Sequence, residues 1–369
     1  MRKRIGSLLA LIVTVMICGS LFAGCGDTNN PGDRGNADTS VIDGTVESMN
    51  VSGKSVCVSD YYLYLIQYIY NYGIKPEQMD ELTVNRILTA ASSDLKTEFI
   101  QNNMALEEGL LASEEYAETI ESMITAFYGT FGEEFLSSYG IDETRVRNMI
   151  ERQLNGYLLT NKATEDLVVE FKEEYEEMYS EYQFHRMYYA LFPTVQYDSD
   201  GQIMVDESGN IVSLAEEEIE KQLVLAEEFR MRALEGLETG DTDATMEALA
   251  EEYNIADYSG VQRNVNGSYS DELNQLVESL SDGEISEVIL TDVGYMIVRM
   301  DVSNDTEFME QMITDFANQS AADYIQVEQQ RWLTEAGADA ILPDMDIVMG
   351  IDVYGLCSEM NERGIAFEQ

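Results

Sequence analysis

Residues 282–300, DGEISEVILTDVGYMIVRM, decide how the second half of this chain folds. A turn at Asp282-Gly283 leads into an apolar run from Val288 to Leu290. A second turn ends at Gly294 and leads into a longer β-rich run, Tyr295 to Met300. Two short apolar runs on either side of a glycine turn predict a strand hairpin.

This hairpin resembles the closing strands of parvulin-type peptidyl-prolyl isomerase domains, and the resemblance covers residues 184–302. Four of its residues match the family's pattern: Gly283, Ser286, Thr291 and Gly294. Met296 stands where the family has its second histidine. The segment 187–192, MYYALF, matches the first strand and places Tyr189 at the family's first histidine position.

The same resemblance implies the site residues. The family's catalytic positions fall on Tyr189, Asp257, Thr291 and Met296, and its prolyl-pocket positions fall on Val261, Tyr269 and Leu273. Isomerisation needs no nucleophile, metal or cofactor, because its barrier of about 18–20 kcal/mol comes from amide resonance. An apolar grip on the proline beside a polar group can lower that barrier. Tyr and Met replace both family histidines, so the activity is left open, although the Tyr189 hydroxyl can still bond Thr291.

Other titratable residues offer little chemistry. His185 is the only histidine of the chain, so a zinc site or a Cys/His pair is not expected. We expect His185 at the surface or edge of its strand, the alternative being a relocated active-site histidine beside Tyr189 on the same face. Cys57 and Cys357 either form a disulfide or stay as free thiols.

The segment 197–212 contains two turn signals and predicts an inserted hairpin. Asp198 and Asp200 suggest calcium ligands, but the glycine follows too early for a calcium-binding loop and no glutamate closes one. Turn chemistry is therefore expected there, and no internal repeat is recognised along the chain.

The N-terminus has the features of an export signal. Arg2, Lys3 and Arg4 precede an apolar run that ends at Ala23-Gly24-Cys25. We expect residues 1–24 to be a lipoprotein signal peptide and Cys25 to carry the lipid, followed by a flexible linker at 25–42. An uncleaved transmembrane anchor is the alternative. Either way, the body of the protein lies at the extracytoplasmic face of the cell membrane.

The chain is strongly acidic, with 70 acidic and 21 basic residues and a formal net charge of −49. Nucleic acid is not expected as a partner, because phosphate binding needs basic surface. The acidity either serves solubility or attracts basic, unfolded polypeptides or divalent cations.

The pattern from Ser59 to Glu181 is helical and resembles the chaperone segment of SurA- and PrsA-like foldases. Ser59 or Asp60 can cap its first helix, which carries six tyrosines: Tyr61, Tyr62, Tyr64, Tyr68, Tyr70 and Tyr72. These tyrosines either form helix core or line an adaptable groove for unfolded segments.

An α+β fold follows from this organisation. A helical chaperone domain at 43–182 is completed by a C-terminal helix and strand at 303–369, the strand being expected within 346–354. The parvulin-like domain, β-α-α-β-β, is inserted between them at 183–302, with helices at 214–238 and 243–253.

The sequence thus predicts a lipid-anchored foldase or chaperone that assists unfolded secreted polypeptides. Two alternatives stay open: a chaperone that holds such chains without isomerase activity, and a solute-binding lipoprotein of a transporter. The solute-binding alternative requires strand–helix alternation in two lobes. A homodimer is left open as well.

Overall fold

The computed structural model describes residues 43–265 and 271–365. These residues form two compact units. One comprises the chain up to Val168 together with Ser320 onward, and the other is Val169–Gln319. The predicted signal peptide, Cys25 and the linker lie outside the described residues, and so does Tyr269.

The first unit begins with a hairpin of β1, Glu47–Val51, and β2, Lys54–Cys57, which the sequence analysis missed. Its turn places Ser52 and Gly53 at φ values of 50° and 81°, and the Gly53 amide donates to Asn50 Oδ1 at 2.9 Å. A glycine accepts such a backbone at little cost.

Helices make up most of the rest of this unit. They are α1 (Val58–Tyr72), α2 (Glu81–Glu107), α3 (Ala112–Glu115), α4 (Ala117–Phe131), α5 (Glu133–Ser138), α6 (Glu143–Tyr179) and α10 (Thr306–Glu335), of which α6 and α10 also contribute residues to the second unit. The predicted start of α1 is two or three residues too late, because Cys57 and not Ser59 or Asp60 precedes the helix. Asp60 lies inside the first turn, where its carboxylate accepts from the Cys57 amide at 2.8 Å.

The aromatic side chains of α1 divide between core and surface. Tyr61 and Tyr62 are fully buried, whereas Tyr72 is 43% exposed. Tyr64, Tyr68 and Tyr72 follow one another along the helix, with ring centroids 6.0 and 4.7 Å apart. The core interpretation therefore holds for Tyr61 and Tyr62.

The predicted C-terminal strand is wrong. Residues 345–362 instead form two short helices, α11 (Met345–Val348) and α12 (Val353–Glu362). Asp352 begins α12 by accepting from the Gly355 amide at 2.8 Å. The buried residues of α12 have helical spacing and join the core of the first unit: Val353, Leu356, Cys357 and Met360. Local β-branched residues had suggested a strand, but this spacing prevails.

A charged network lies inside the first unit. Arg152 on α6 donates to Asp60 at 3.0 Å and to Glu98 at 2.6 Å, and its guanidinium lies 4.3 Å from the centre of the Phe99 ring. The three charged side chains are only 9–12% exposed. Burial raises the pKa of Glu98, even though Arg152 acts against that shift. The network therefore depends on one cation.

The second unit is built on an antiparallel sheet with the strand order β4-β3-β6-β5. The strands are β3 (Phe184–Pro193), β4 (Gly260–Val265), β5 (Ile289–Leu290) and β6 (Gly294–Val302), and the helices between them are α7 (Glu216–Thr239), α8 (Met246–Glu252) and α9 (Asp271–Ser279). The α+β fold and the closing hairpin are as predicted. The order is β-α-α-β-α-β-β, so β4 and α9 were missed.

Strand register assigns the side chains of this sheet to two faces, because directly opposite residues share a face. Met187 lies opposite Met300, and Tyr189 lies opposite Val298; these residues are on the face that α9 covers, the α9 face. Tyr188, Ala190 and Phe192 point to the opposite face, where α7 and α8 pack through Phe229 and Leu249.

Between β3 and α7 the chain makes an arm, residues 194–214, where the inserted hairpin was expected. Three short extended segments join through isolated bridges, including Tyr197 with Ile203 and Val205 with Ile211. Asp198 acts in turn chemistry, since its carboxylate accepts from the amides of Asp200 and Gln202, each at 2.9 Å.

The described residues contain no group of three or more acidic, histidine or cysteine side chains suited to hold a metal ion. Within 43–265 and 271–365, no helix combines the length and apolar content needed to span a membrane. Cys57 and Cys357 are both free thiols, and the Cys357 thiol lies 3.5 Å from the Ile74 carbonyl.

Candidate functional site

The structure brings together only some of the predicted site residues. Tyr189, Met296 and Leu273 share the α9 face. Val261 lies opposite Tyr188 and therefore points to the other face, where its side chain is 57% exposed. Asp257 is exposed in a 3-10 turn at Ala256–Tyr258.

The α9 face has a closed half and an open half. In the closed half, Met187, Val298 and Met300 are buried against Leu273 and Val277 of α9. The open half continues the same apolar surface with side chains that are only half-buried: Tyr189, Leu276, Ile289 and Met296. Helix α9 thus covers one part of the face and leaves an apolar part accessible.

Gly260 adds no side chain to this open half. It lies opposite Tyr189 on the neighbouring strand β4, where any other residue would place a side chain on the α9 face. A Cβ built on Gly260 meets no atom within 4 Å in the described structure. Among the described residues, the space next to Gly260 on the α9 face is therefore open.

Tyrosines form the rim. Tyr197 from the arm and Tyr258 from the 3-10 turn are in contact, with ring centroids 4.9 Å apart and ring planes tilted by 47°. Burial raises the pKa of Tyr197, and the neighbouring Tyr258 and Tyr189 hydroxyls raise it further. The Tyr197 hydroxyl therefore lies within electrostatic reach of the other two tyrosines, and its raised pKa keeps it protonated at neutral pH.

Thr291, the polar family position, is already engaged within the β5–β6 turn. Its hydroxyl donates to the Gly294 carbonyl at 2.8 Å. Gly294 in turn lies so close to β3 that a Cβ there would be 2.3 Å from the Phe192 carbonyl oxygen. The single hydroxyl proton of Thr291 is therefore used in the turn and is not offered to Tyr189.

The chemical capacity of this surface is that of binding. Its side chains are apolar, aromatic or thioether groups, which make large and adaptable contacts. Asp257 is the one carboxylate among the predicted positions, and it is exposed on the 3-10 turn. Tyr189 brings a hydroxyl group to the open half.

The burial of His185 differs from what the sequence predicted. It was expected at the surface or edge, but it is 2% exposed. It shares the α9 face with Met187, as the strand alternation requires. Among the described residues, neither ring nitrogen has a hydrogen-bond partner. A buried polar group in that state costs stability.

Replacing His185 with leucine is expected to stabilise the second unit by about 1–2 kcal/mol, because the unpaired ring nitrogens are removed from the interior. Hydrogen exchange of the β3 and β6 amides measures this free energy. His185→Asn is the matched control, since it keeps a polar group in place and should give no gain. A leucine variant no more stable than the asparagine variant contradicts the prediction.

Sequence reasoning missed three residues of this surface: Tyr197, Tyr258 and Ile289. Ile289 was within the predicted hairpin, and strand alternation with Met296 opposite could have assigned it to the face. Tyr197 and Tyr258 come from loops, and no periodicity links loop residues to a sheet face.

No protein-family model and no curated protein matches this chain. Among solved structures, it is similar to the foldase protein PrsA from Lactococcus lactis at 13% identity, over 85% of this chain and 99% of that one, with a TM-score of 0.32. It is similar to PrsA from Bacillus subtilis at 16% identity, over 86% and 99%, with a TM-score of 0.23. The foldase PrsA from Streptococcus pneumoniae shows 12% identity over 79% and 94%, with a TM-score of 0.26. These belong to the family that the sequence resembles, and TM-scores this low say nothing about activity.

Proposed function

We propose that this chain is an extracytoplasmic foldase that holds unfolded secreted polypeptides on the open half of the α9 face. The observation that carries the proposal is that half-buried apolar surface: Tyr189, Ile289 and Met296 beside the space at Gly260. Holding an unfolded chain requires accessible apolar surface and no reacting group.

Isomerisation of proline is a weaker candidate. The parvulin positions hold Tyr189 and Met296 instead of histidines, and the Thr291 proton is used within its own turn. The tyrosine hydroxyls at the rim are the polar groups that favour keeping it as a second candidate. We therefore propose the holding of unfolded polypeptides as the primary function.

The solute-binding alternative requires two lobes of alternating strands and helices. The first unit instead combines helices with a two-stranded hairpin, and the sheet of the second unit is antiparallel throughout its described strands. In the described parts of both units, the strands form no parallel sheet of the kind that a repeated strand–helix alternation builds.

We further propose anchoring through a lipid on Cys25, which places the described units at the outer face of the cell membrane. The partners are then polypeptides that have just crossed this membrane. Mass spectrometry of the membrane-extracted protein tests the anchor, because a diacylglyceryl group at Cys25 adds a defined mass that a Cys25→Ser variant lacks. Sedimentation of the soluble chain tests whether it forms a homodimer.

The holding function is tested with a reduced, unfolded secretory protein and the chain starting at residue 26, which keeps every described residue. We expect the chain to slow aggregation of the client at about a one-to-one ratio, measured by light scattering. The same sample is assayed for proline isomerisation of a short peptide, and no rate above the uncatalysed one is expected. Unchanged aggregation contradicts the proposal.

A further inference from the structure

The backbone, and not a core, determines the conformation of the arm. The Gln196 amide donates to Val212, the Met204 amide to Gln196 and the Val212 amide to Met204, at 2.8, 2.8 and 2.9 Å, so three segments close into a ring of hydrogen bonds. Each segment thereby pairs with the other two.

The two turns of the arm repeat each other after eight residues, a repeat that the sequence analysis did not recognise. Asp198 accepts from the amides two and four residues later, at 2.9 Å each. Asp206 does the same toward Ser208 and Asn210, at 2.8 and 2.9 Å. These carboxylates and the backbone ring together maintain the turn geometry.

Apolar side chains of the arm face solvent although its conformation does not require them. Ile203, Met204, Val205 and Ile211 are 37%, 40%, 59% and 44% exposed. None of the four belongs to an apolar cluster of the described residues. Apolar side chains that stay exposed to water and belong to no core indicate a contact surface.

The chain in and next to the arm carries charge of one sign. The sequence has no lysine or arginine between Arg186 and Lys221. The same stretch holds eight carboxylates: Asp198, Asp200, Asp206, Glu207, Glu216, Glu217, Glu218 and Glu220. An apolar patch on so acidic a stretch of chain favours a partner that combines apolar residues with positive charge.

The arm is also joined to the α9 face. Tyr197 belongs to its first segment, and its ring packs at a tilt of 47° against Tyr258 at the rim of the open half. Burial and the Tyr258 and Tyr189 hydroxyls all raise the pKa of Tyr197. A chain held on the α9 face can therefore continue onto the arm.

We propose that the arm is a specificity surface for unfolded segments in which apolar residues alternate with lysine or arginine. This inference rests on the holding function and names the class of segment that is held. Leu, Ile or Val side chains of such a segment cover Ile203, Val205 and Ile211, while its cations lie against Asp200 and Glu207.

Three fluorescent twelve-residue peptides test the proposal by anisotropy: one of leucine and lysine, one of leucine and glutamate, and one of serine and lysine. The apolar variant is Ile203→Ser with Val205→Ser and Ile211→Ser. We expect it to bind the leucine–lysine peptide about tenfold or more weakly, with an unchanged circular dichroism melting curve.

The charge variant is Asp200→Asn with Glu207→Gln, which leaves the turn acceptors Asp198 and Asp206 intact. It should bind the leucine–lysine peptide about threefold to tenfold more weakly at low salt, and this difference in affinity should shrink as salt is added. The matched control replaces exposed apolar residues of α7, Val224→Ser with Met231→Ser and Leu237→Ser, and should bind like the wild type.

The inference is overturned if the apolar variant binds the leucine–lysine peptide as the wild type does, or if the α7 control loses as much. It is also overturned if the wild type binds the leucine–glutamate peptide equally well. Failure of the proposed function is distinguishable, because the wild type then neither slows client aggregation nor binds any peptide.

Discussion

Replacing Arg152 with methionine is expected to destabilise the first unit by about 3–5 kcal/mol. The arginine is the only cation in contact with Asp60 and Glu98 in the network of described residues, and both carboxylates are about 90% removed from solvent. Removing the cation leaves two buried charges facing each other, which is far more costly than losing an exposed ion pair. The contact of the guanidinium with Phe99 is lost as well.

Fluorescence of Trp332 during urea unfolding measures this loss, since it is the only tryptophan of the chain and is buried in the first unit. Arg147→Met is the matched control on the same helix. Its partners Glu121 and Glu143 are more than 60% exposed, so the control should lose less than about 1 kcal/mol.

Adding Glu98→Gln to Arg152→Met should recover part of the stability, because it removes one of the unpaired charges. The raised pKa of Glu98 points in the same direction, since burial already favours its neutral form. Equal losses for Arg152→Met and Arg147→Met contradict this description of the network.

Replacing Ile289 with threonine and Met296 with glutamine is expected to weaken the binding of an unfolded client by about tenfold or more. Both residues are half-buried neighbours on the open half of the α9 face, directly opposite each other on β5 and β6. The substitutions keep a β-branched side chain at 289 and an unbranched one at 296 but introduce polar groups, so they reduce the apolar area that a client can cover. A tenfold change corresponds to about 1.4 kcal/mol.

Val261→Thr is the matched control for this pair. Val261 is 57% exposed on the same sheet, but its side chain points to the opposite face. The resemblance had placed Val261 in the prolyl pocket, so the comparison also separates the two assignments. Binding of a fluorescent unfolded client should change less than twofold in the control. A control as weak as the double variant contradicts the assignment of the site.

The sequence predicted well where one pattern governs a long segment. The helical stretch from Ser59 to Glu181, the strand β3 and the hairpin from β5 to β6 were predicted in this way from helical pattern, family resemblance or turn glycines. The C-terminal segment failed because 346–354 is short and β-branched, while the apolar spacing that makes α12 begins only at Val353. The hairpin of β1 and β2 failed because its two strands are only five and four residues long.

The candidate site was harder to predict, since a sheet face depends on register. The resemblance that placed Val261 in one pocket with Leu273 could not show that Val261 on β4 lies opposite Tyr188. A one-residue difference along a strand reverses the face. His185 was expected at the surface or edge of its strand, although its place two residues before Met187 puts it on a buried face.

Photocrosslinking of a bound client shows where on the protein an unfolded chain is held. An unfolded peptide carrying a benzophenone group is bound to the chain starting at residue 26, illuminated, and the crosslinked residues are identified by mass spectrometry. We expect crosslinks on the open half of the α9 face, foremost at Met296 and Tyr189, and their loss in the Ile289→Thr and Met296→Gln double variant. Crosslinks confined to the first unit, such as the α1 tyrosines, or to the face of Val261, contradict the account.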